Sequence, residues 1–193
     1  TLLIGPIEDL QKKYPQESII VTIQRNLQRL QVLINQLLDL SKLEAGEVKV
    51  NQQEIDIATF LRQLFVSFES LAQSKNIVFN HSQSHHTLLG LVDADKLEKI
   101  VTNLLSNAFK FTQEKRQVTV WVSPSLSLLS GRLEGASTGL SIVVQDTGIG
   151  IAASRLPHIF DRFYQVEEHN NQEGTGIGLA LVKELVEVLG GKI

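Results

Sequence analysis

The sequence of 193 residues contains no cysteine and no methionine. Without cysteine it can form no disulfide, no thiolate zinc site and no cysteine nucleophile. No apolar run approaches the ~20 residues of a membrane-spanning helix, and the first residues lack the basic flank of a signal peptide. Eighteen basic and twenty-one acidic side chains give a net charge of −3, which provides no general field for a polyanion. We expect neither nucleic-acid binding nor membrane contact by this chain.

The composition is that of an ordinary globular protein, with 42% apolar and 20% charged residues. The length fits one full domain with an appendage, or two small domains. The start at Thr1 and the lack of methionine indicate an excised fragment.

An apolar repeat characterises the N-terminal part of the chain. It steps by 3, 4, 3, 4 and 3 residues through Ile20, Ile23, Leu27, Leu30, Ile34 and Leu37. This spacing is typical of the seam of a helical bundle or coiled coil. We predict that residues 1–46 form a helical hairpin with a truncated first arm. The pattern leaves open whether the seam packs on a second copy or on the following domain.

After Gly46 the apolar period changes, and alternating and helical patterns follow one another. Strands are predicted at about 47–50, 54–57, 77–82, 88–93, 118–123 and 140–146, and helices at 58–75, 95–111 and from 179 onward. This order predicts that residues 47–193 form an α+β domain, a two-layer α/β sandwich with helices on one face of a mixed sheet. Residues 124–139 are predicted to form a surface loop or an extended hairpin.

The helix at 95–111 carries two faces of different character. Leu97, Val101, Leu104 and Ala108 predict its buried stripe, whereas Asn103, Asn107 and Lys110 share another face. An amide oxygen can ligate Mg²⁺, and a lysine one turn further can meet a phosphate. Alone, however, this pattern is more typical of a solvated face.

Two glycine-rich segments follow. Asp146 ends a strand and precedes Gly148 and Gly150, so its carboxylate could accept the exocyclic amine of adenine, although an ordinary turn has the same pattern. Free backbone amides at a helix start hold phosphate. Such a start is predicted directly after Gly174, Gly176 and Gly178. The segment lacks the G-K-[ST] of a Walker loop, and no strand precedes it as in a Rossmann unit.

The residues between the two glycine segments are predicted to form a mobile lid. Three aromatic side chains would anchor it: Phe160, Phe163 and Tyr164. The alternative is a short helix buried by those rings, and the two interpretations are compatible with each other.

Four motifs in one order give the sequence a close resemblance to the kinase core of sensor histidine kinases of two-component systems. NLLSNAFKFT resembles the asparagine box of that family, DTGIG the first glycine box, IFDRFY the phenylalanine box and GTGIGLALV the second glycine box. NLQRLQVLINQLLDLSKLEAG resembles the second helix of the dimerisation and phosphoacceptor hairpin. The resemblance covers nearly the whole chain and implies the Bergerat-type ATP-binding fold.

The resemblance implies a role for individual residues in binding ATP and Mg²⁺. Asn107 would ligate Mg²⁺, Asn103 and Lys110 would contact the phosphates, Phe111 would lie beside the adenine, and Asp146 would accept its amino group. Arg162 would be an additional phosphate contact. The pocket and lid hinges would be shaped by Gly148, Gly150, Gly174, Gly176 and Gly178.

The implied reaction transfers the γ-phosphoryl of ATP to a histidine nitrogen, with Mg²⁺ and positioned donors stabilising the developing charge. The implied partners are a response regulator receiver domain and a second copy, bound through the hairpin. The implied location is the cytoplasm, with a membrane-associated parent protein.

Three departures from related patterns bear on these expectations. Gyrase, Hsp90 and MutL carry a water-activating glutamate where this sequence has Asn103, and an amide cannot take a proton from water. The acceptor histidine of the family would lie just upstream of Thr1, so we do not expect it among His81, His85, His86, His158 and His169. The closing strands of the family domain would follow Ile193. Two alternatives stay open: a hydrolytic ATPase of the same fold, and a dimerisation module with an inactive pocket.

Overall fold

The computed structural model describes residues 5–6, 14, 18–126, 138–165 and 174–193. The predicted first arm of the hairpin lies almost entirely outside these residues. The second arm is helix α1, Ser18–Glu44. In this part of the chain, no helix is long and apolar enough to cross a bilayer.

Within the described residues, three further helices and five strands follow α1. The helices are α2 (Ile57–Ser74), α3 (Ala94–Phe111) and α4 (Gly178–Val188), and a 3-10 turn spans Leu156–His158. The strands are β1 (Gln53–Asp56), β2 (Val78–Gln83), β3 (Leu89–Val92), β4 (Gln117–Leu126) and β5 (Thr138–Asp146).

The prediction of a strand at about 47–50 is wrong. Residues 47–52 form no strand, because groups at the start of α3 bind this part of the backbone. The Asn51 amide donates to the Asp93 carboxylate at 2.8 Å, and Lys96 Nζ donates to the Lys49 carbonyl oxygen at 2.9 Å. The segment is therefore held to α3 and not to a neighbouring strand.

The strands form two sheets. β1 pairs antiparallel with β3, and β4 lies between β2, which is parallel to it, and β5, which is antiparallel. The β4–β5 ladder extends to the pair Leu126 and Thr138. The ends of the predicted 124–139 segment are thus paired as an extended hairpin, and residues 127–137 lie outside the described ranges.

Helices α2 and α3 cover one face of the β2–β4–β5 sheet. The alternate residues Val118, Val120 and Val122 of β4 point into this core, whereas Trp121 between them is 41% exposed on the other face. Phe109 of α3 stacks on Phe68 of α2 with ring centroids 5.8 Å apart. The predicted two-layer arrangement is confirmed.

A second apolar cluster joins α1, α3 and α4. Its buried residues are Leu43, Ile100, Leu181, Val182 and Leu185. Leu104 packs against this cluster and is only partly buried, so its predicted place in the main buried stripe of α3 is wrong. Leu105 lies in the main core instead. The reason is that α3 has apolar contacts on two sides, the sheet and α4.

Most of the α1 seam is much more exposed than the C-terminal end of the helix. Leu40 and Leu43 are 2% and 7% exposed, but the seam residues Ile23, Leu30, Ile34 and Leu37 are 43–50% exposed. An apolar row of this kind is typical of a helix that packs on a partner helix.

Candidate functional site

The polar face of α3 lies directly beneath the glycine-rich segment that leads into α4. A Cβ atom added to Gly178 would lie 3.0 Å from Asn103 Oδ1 and 4.0 Å from Asn107 Nδ2, and one added to Gly174 would lie 2.6 Å from Lys110 Nζ. Glycine permits this close approach because it has no side chain. The structure therefore brings the asparagine box and the second glycine box together.

Asn103 and Asn107 differ in their hydrogen bonding. Asn103 Nδ2 donates to the Lys99 carbonyl oxygen at 2.7 Å, and Asn103 Oδ1 accepts from Gln36 Nε2 at 3.3 Å. The half-buried Asn107 amide makes no hydrogen bond to any other described residue. Since a partly buried amide normally has a partner, Asn107 is the side chain of this pair that is open to an external ligand.

Lys110 is a cation with no carboxylate partner among the described residues. Its Nζ lies 4.7 Å from the centroid of the Phe111 ring. Desolvation lowers the pKa of Lys110 below its ordinary value. A lysine of this kind gains from binding an anion, because the anion offsets the cost of desolvating the charge.

The turn after β5 packs against the end of α3. Gly148 N donates to Asp146 Oδ1 at 2.8 Å, and Ile149 N donates to the Phe111 carbonyl oxygen at 3.3 Å. A Cβ at Gly148 would lie 2.3 Å from that same oxygen, so a side chain there is excluded. This packing places Asp146 beside Phe111, and the exposed Asp146 carboxylate keeps its second oxygen for a ligand. Gly150 continues the turn with a φ of +73°.

Two hydrogen bonds join the residues on either side of segment 166–173. Phe163 N donates to the Gly176 carbonyl oxygen at 2.9 Å, and Gln165 Nε2 donates to the Gly174 carbonyl oxygen at 3.0 Å. Residues 166–173 of the predicted lid, including His169, lie outside the described residues. The predicted anchors Phe160 and Tyr164 are half-buried, whereas Phe163 is 62% exposed.

Arg162 is directed toward acidic side chains. It forms ion pairs with Glu44 at the end of α1 and with Glu184 of α4, the latter at 3.8 Å. Its predicted contact with phosphate stays a prediction.

The described histidines lie on β2, in the loop after it and in the 3-10 turn. His81 faces Glu69 at 3.6 Å, and His158 Nδ1 lies 2.8 Å from Asp161 Oδ2. His85 and His86 are exposed. Over the same described ranges, no group of three or more His, Asp or Glu side chains is placed to hold a metal ion.

Sequence reasoning missed two polar residues that contact this site. Thr175 Oγ1 donates to Gln36 Oε1 at 3.2 Å and accepts from Ile177 N at 3.2 Å, next to the first residues of α4. The position of Thr175 between two motif glycines was a signal that could have drawn attention to it. Gln36 carried no such signal, because it is one of several glutamines beside the heptad seam.

Comparison with known proteins agrees with this geometry. The family described as "Histidine kinase-, DNA gyrase B-, and HSP90-like ATPase" matches residues 92–193, which include both glycine segments and α3. The chain belongs to this family. Several of the relatives that it matches are named histidine kinases or sensor histidine kinases.

Two curated relatives illustrate the match. The chain is 34% identical to hybrid signal transduction histidine kinase D of Dictyostelium discoideum, covering 100% of this chain and 12% of that protein. It is also 34% identical to sensor histidine kinase TmoS of Ectopseudomonas mendocina, covering 100% of this chain and 19% of that protein. The chain thus spans less than a fifth of the length of either kinase.

A solved structure supports the same assignment. Full-length ShkA, crystallised in complex with AMPPNP, superposes with a TM-score of 0.75 at 27% identity. The match covers 97% of this chain and 38% of ShkA. The chain therefore has the ATP-binding catalytic domain of the histidine kinase type, preceded by a helix that the match includes.

Proposed function

We propose that this chain is the ATP-binding catalytic core of a sensor histidine kinase. It transfers the γ-phosphoryl of Mg-ATP to a histidine of the dimerisation hairpin, from which an aspartate of a response regulator receives it. The observation that carries the proposal is the polar face of α3 beneath Gly174–Gly178, where Lys110 lacks an anionic partner among the described residues and Asn107 has an open amide.

The chain's own groups fit the phosphates and the metal. The Asn107 amide oxygen is a hard donor of the type that Mg²⁺ accepts beside waters and phosphate oxygens. Lys110 and Asn103 would face the phosphates, and the first backbone amides of α4 add donors backed by the helix dipole. Bound Mg²⁺ would supply neutralisation of phosphate charge.

The adenine base of ATP would lie on the side of the site opposite the phosphates. Phe111 offers an aromatic ring, and the free oxygen of Asp146 offers an acceptor for the adenine amine. The Gly148 turn fixes both groups in one rigid unit, because it is packed on the Phe111 carbonyl. Arg162 is a candidate for a further phosphate contact once it leaves Glu44.

Asn103 favours a kinase over a hydrolase. A glutamate at this position can activate water, but an amide has no basic oxygen of sufficient strength to accept the proton. Bound ATP would then await a better nucleophile, such as an imidazole. Steady phosphate release that depends on Asn103, without a phosphoprotein, would favour the hydrolytic alternative.

The exposed seam of α1 supports a homodimer as part of this proposal. The seam residues present a row of aliphatic side chains that a second hairpin would cover. In this scheme residues 1–46 form the hairpin, residues 47–193 form the catalytic domain, and a receiver domain docks on the assembled protein in the cytoplasm. Measurement of the molecular mass in solution of the chain that contains the hairpin tests whether it forms a dimer.

The decisive experiment restores the upstream segment and adds γ-labelled ATP with Mg²⁺. We expect an acid-labile, base-stable label on the protein. Asn107→Ala should abolish the label and the Mg²⁺-dependent nucleotide binding, whereas Asn80→Ala, at an exposed position on β2, should change neither. ATP binding without any label would contradict the kinase proposal, and absence of binding would favour an inactive module.

A further inference from the structure

Gln36 of α1 contacts both walls of the candidate site. Its amide nitrogen donates to Asn103 Oδ1 at 3.3 Å, and its amide oxygen accepts from Thr175 Oγ1 at 3.2 Å. These two residues are 67 and 139 positions away in sequence. One side chain of the hairpin helix therefore links the α3 face to the glycine-rich segment.

Neighbouring residues of α1 fix Gln36 in this place. Asp39 Oδ2 accepts from Lys99 Nζ at 2.5 Å one turn further along the helix, and Leu40 and Leu43 are buried on the same side. Such packing limits the freedom of α1 to move relative to α3. The hydrogen bonds of Gln36 are thus held in register by the helix to which it belongs.

In the linked arrangement even a methyl group does not fit freely between the glycine-rich segment and this part of the α3 face. A Cβ atom added to Gly178 would lie 3.0 Å from Asn103 Oδ1, and one added to Gly174 would lie 2.6 Å from Lys110 Nζ. A phosphate that binds between α3 and the amides of α4 must separate these atoms. Separation of the two walls breaks at least one hydrogen bond of Gln36, because that residue spans both.

We propose that Gln36 is a positioning residue that holds the backbone around Thr175 against Asn103. Nucleotide binding then competes with docking of the C-terminal end of α1 on α3. This inference rests on the proposed function, since it takes Mg-ATP as the ligand of the site. By thermodynamic reciprocity, a nucleotide that opens the linked arrangement must also weaken the contact between α1 and α3.

The test compares Gln36→Leu with the wild-type chain. Leucine keeps most of the side-chain volume but makes neither hydrogen bond. The matched control is Gln31→Leu on the same helix, where the side chain is exposed. Calorimetric titration with AMPPNP and Mg²⁺ should show roughly three- to tenfold tighter binding by Gln36→Leu, because one or two neutral hydrogen bonds no longer oppose opening. Gln31→Leu should bind like the wild type.

A second readout separates this role from a structural one. If Gln36 only supported the fold, Gln36→Leu would lower both the free energy of unfolding and the nucleotide affinity. We expect instead that Gln36→Leu raises the nucleotide affinity while its free energy of unfolding stays equal or falls. Unchanged or weaker binding by Gln36→Leu, when the wild type binds, would overturn the inference. Absence of binding by every variant and by the wild type would instead contradict the proposed function, and the inference with it.

A double-mutant cycle gives a further check, and hydrogen exchange in the wild-type chain gives one that holds even if Gln36→Leu proves unstable. In a double-mutant cycle, Gln36→Leu and Thr175→Val should be strongly non-additive in AMPPNP affinity, because either change removes the same hydrogen bond. Hydrogen exchange in the wild-type chain should become faster at residues 36–44 when AMPPNP is added. Additive effects, or slower exchange at these residues, would contradict the proposal.

Discussion

Phe163 and Gly176 approach each other so closely that no side chain fits between them. A Cβ at Gly176 would lie 2.6 Å from the Phe163 carbonyl carbon and 2.7 Å from its Cα. Both residues have a positive φ, +60° at Phe163 and +68° at Gly176. The left-handed conformation is strained for phenylalanine, so the hydrogen bond from Phe163 N to the Gly176 carbonyl oxygen helps to hold it.

Gly176→Ala should therefore impair both stability and nucleotide binding. The matched control is Gly46→Ala, because Gly46 has a φ of +67° but no atom within 4 Å of the added Cβ. We expect Gly46→Ala to lower the free energy of unfolding by about 1 kcal/mol, the conformational penalty alone. Gly176→Ala should cost more than this and weaken AMPPNP binding, as measured by urea unfolding and titration. Equal effects of the two changes on both measurements would contradict the close contact.

Lys110→Met should weaken nucleotide binding without lowering stability. The lost charge-assisted contacts predict an affinity roughly ten- to a hundredfold lower. Desolvation disfavours the charged lysine in the fold, so the neutral methionine removes that penalty. The control is Lys183→Met, an exposed lysine on α4. If Lys110→Met kept the wild-type affinity for nucleotide, Lys110 would not be part of the binding site.

The pH dependence of stability gives Lys110 a distinct signature. Its pKa is lowered in the folded state, so the unfolded chain binds more protons between that pKa and 10.5. The wild-type free energy of unfolding therefore gains a contribution as pH rises through this window. The stability difference between Lys110→Met and the wild type should therefore shrink across this window. A difference that grows with pH would contradict the shift.

Asp93 connects the start of α3 to the segment before β1. The buried carboxylate accepts from Lys96 N at 3.1 Å, from Lys96 Nζ at 2.5 Å and from Asn51 N at 2.8 Å. Asp93→Ala should lower the free energy of unfolding by about 2–3 kcal/mol, and Asp93→Asn by less, because the amide oxygen still caps the helix. Asp95→Ala, at an exposed position of the same turn, is the control. Urea unfolding at pH 7 measures all three.

Acid should remove the advantage of Asp93 over asparagine. Burial alone would raise the pKa of Asp93, but the hydrogen bonds from Lys96 and Asn51 outweigh it and hold the pKa below 3.8. The stabilising contribution is thus fully present above 3.8 and is lost as pH falls through the lowered pKa. The stability gap between the wild type and Asp93→Asn should narrow in that range. A constant gap would contradict the shift.

Motif residues and periodic elements could be predicted from the sequence, because each depends on local spacing. The face shared by Asn103, Asn107 and Lys110 follows from the helical repeat, and the glycines before α4 mark a helix start. Contacts that depend on tertiary packing could not be predicted in this way. Leu104 has the same spacing as its buried neighbours but packs on α4, and residues 47–50 alternate like a strand while their backbone binds the start of α3.

The same limit applied at the site. Nothing in the pattern of α1 distinguishes Gln36 from the glutamines beside it, because its partners come from segments distant in sequence. The ion pairs of Arg162 with Glu44 and Glu184 likewise depend on where α1 ends relative to α4. The motifs therefore indicated which residues come together beside the glycine-rich segment, but not which residues of α1 touch them.

The aliphatic cluster shared by Leu43, Ile100 and Leu181 makes the end of α1 and the start of α4 parts of one solid body. A close-packed interior has no slack in which a rotation could be absorbed. As long as α1 stays docked, a rotation of its C-terminal turn therefore has to move α4 with it, even in a variant that lacks the polar contacts of α1 with the site.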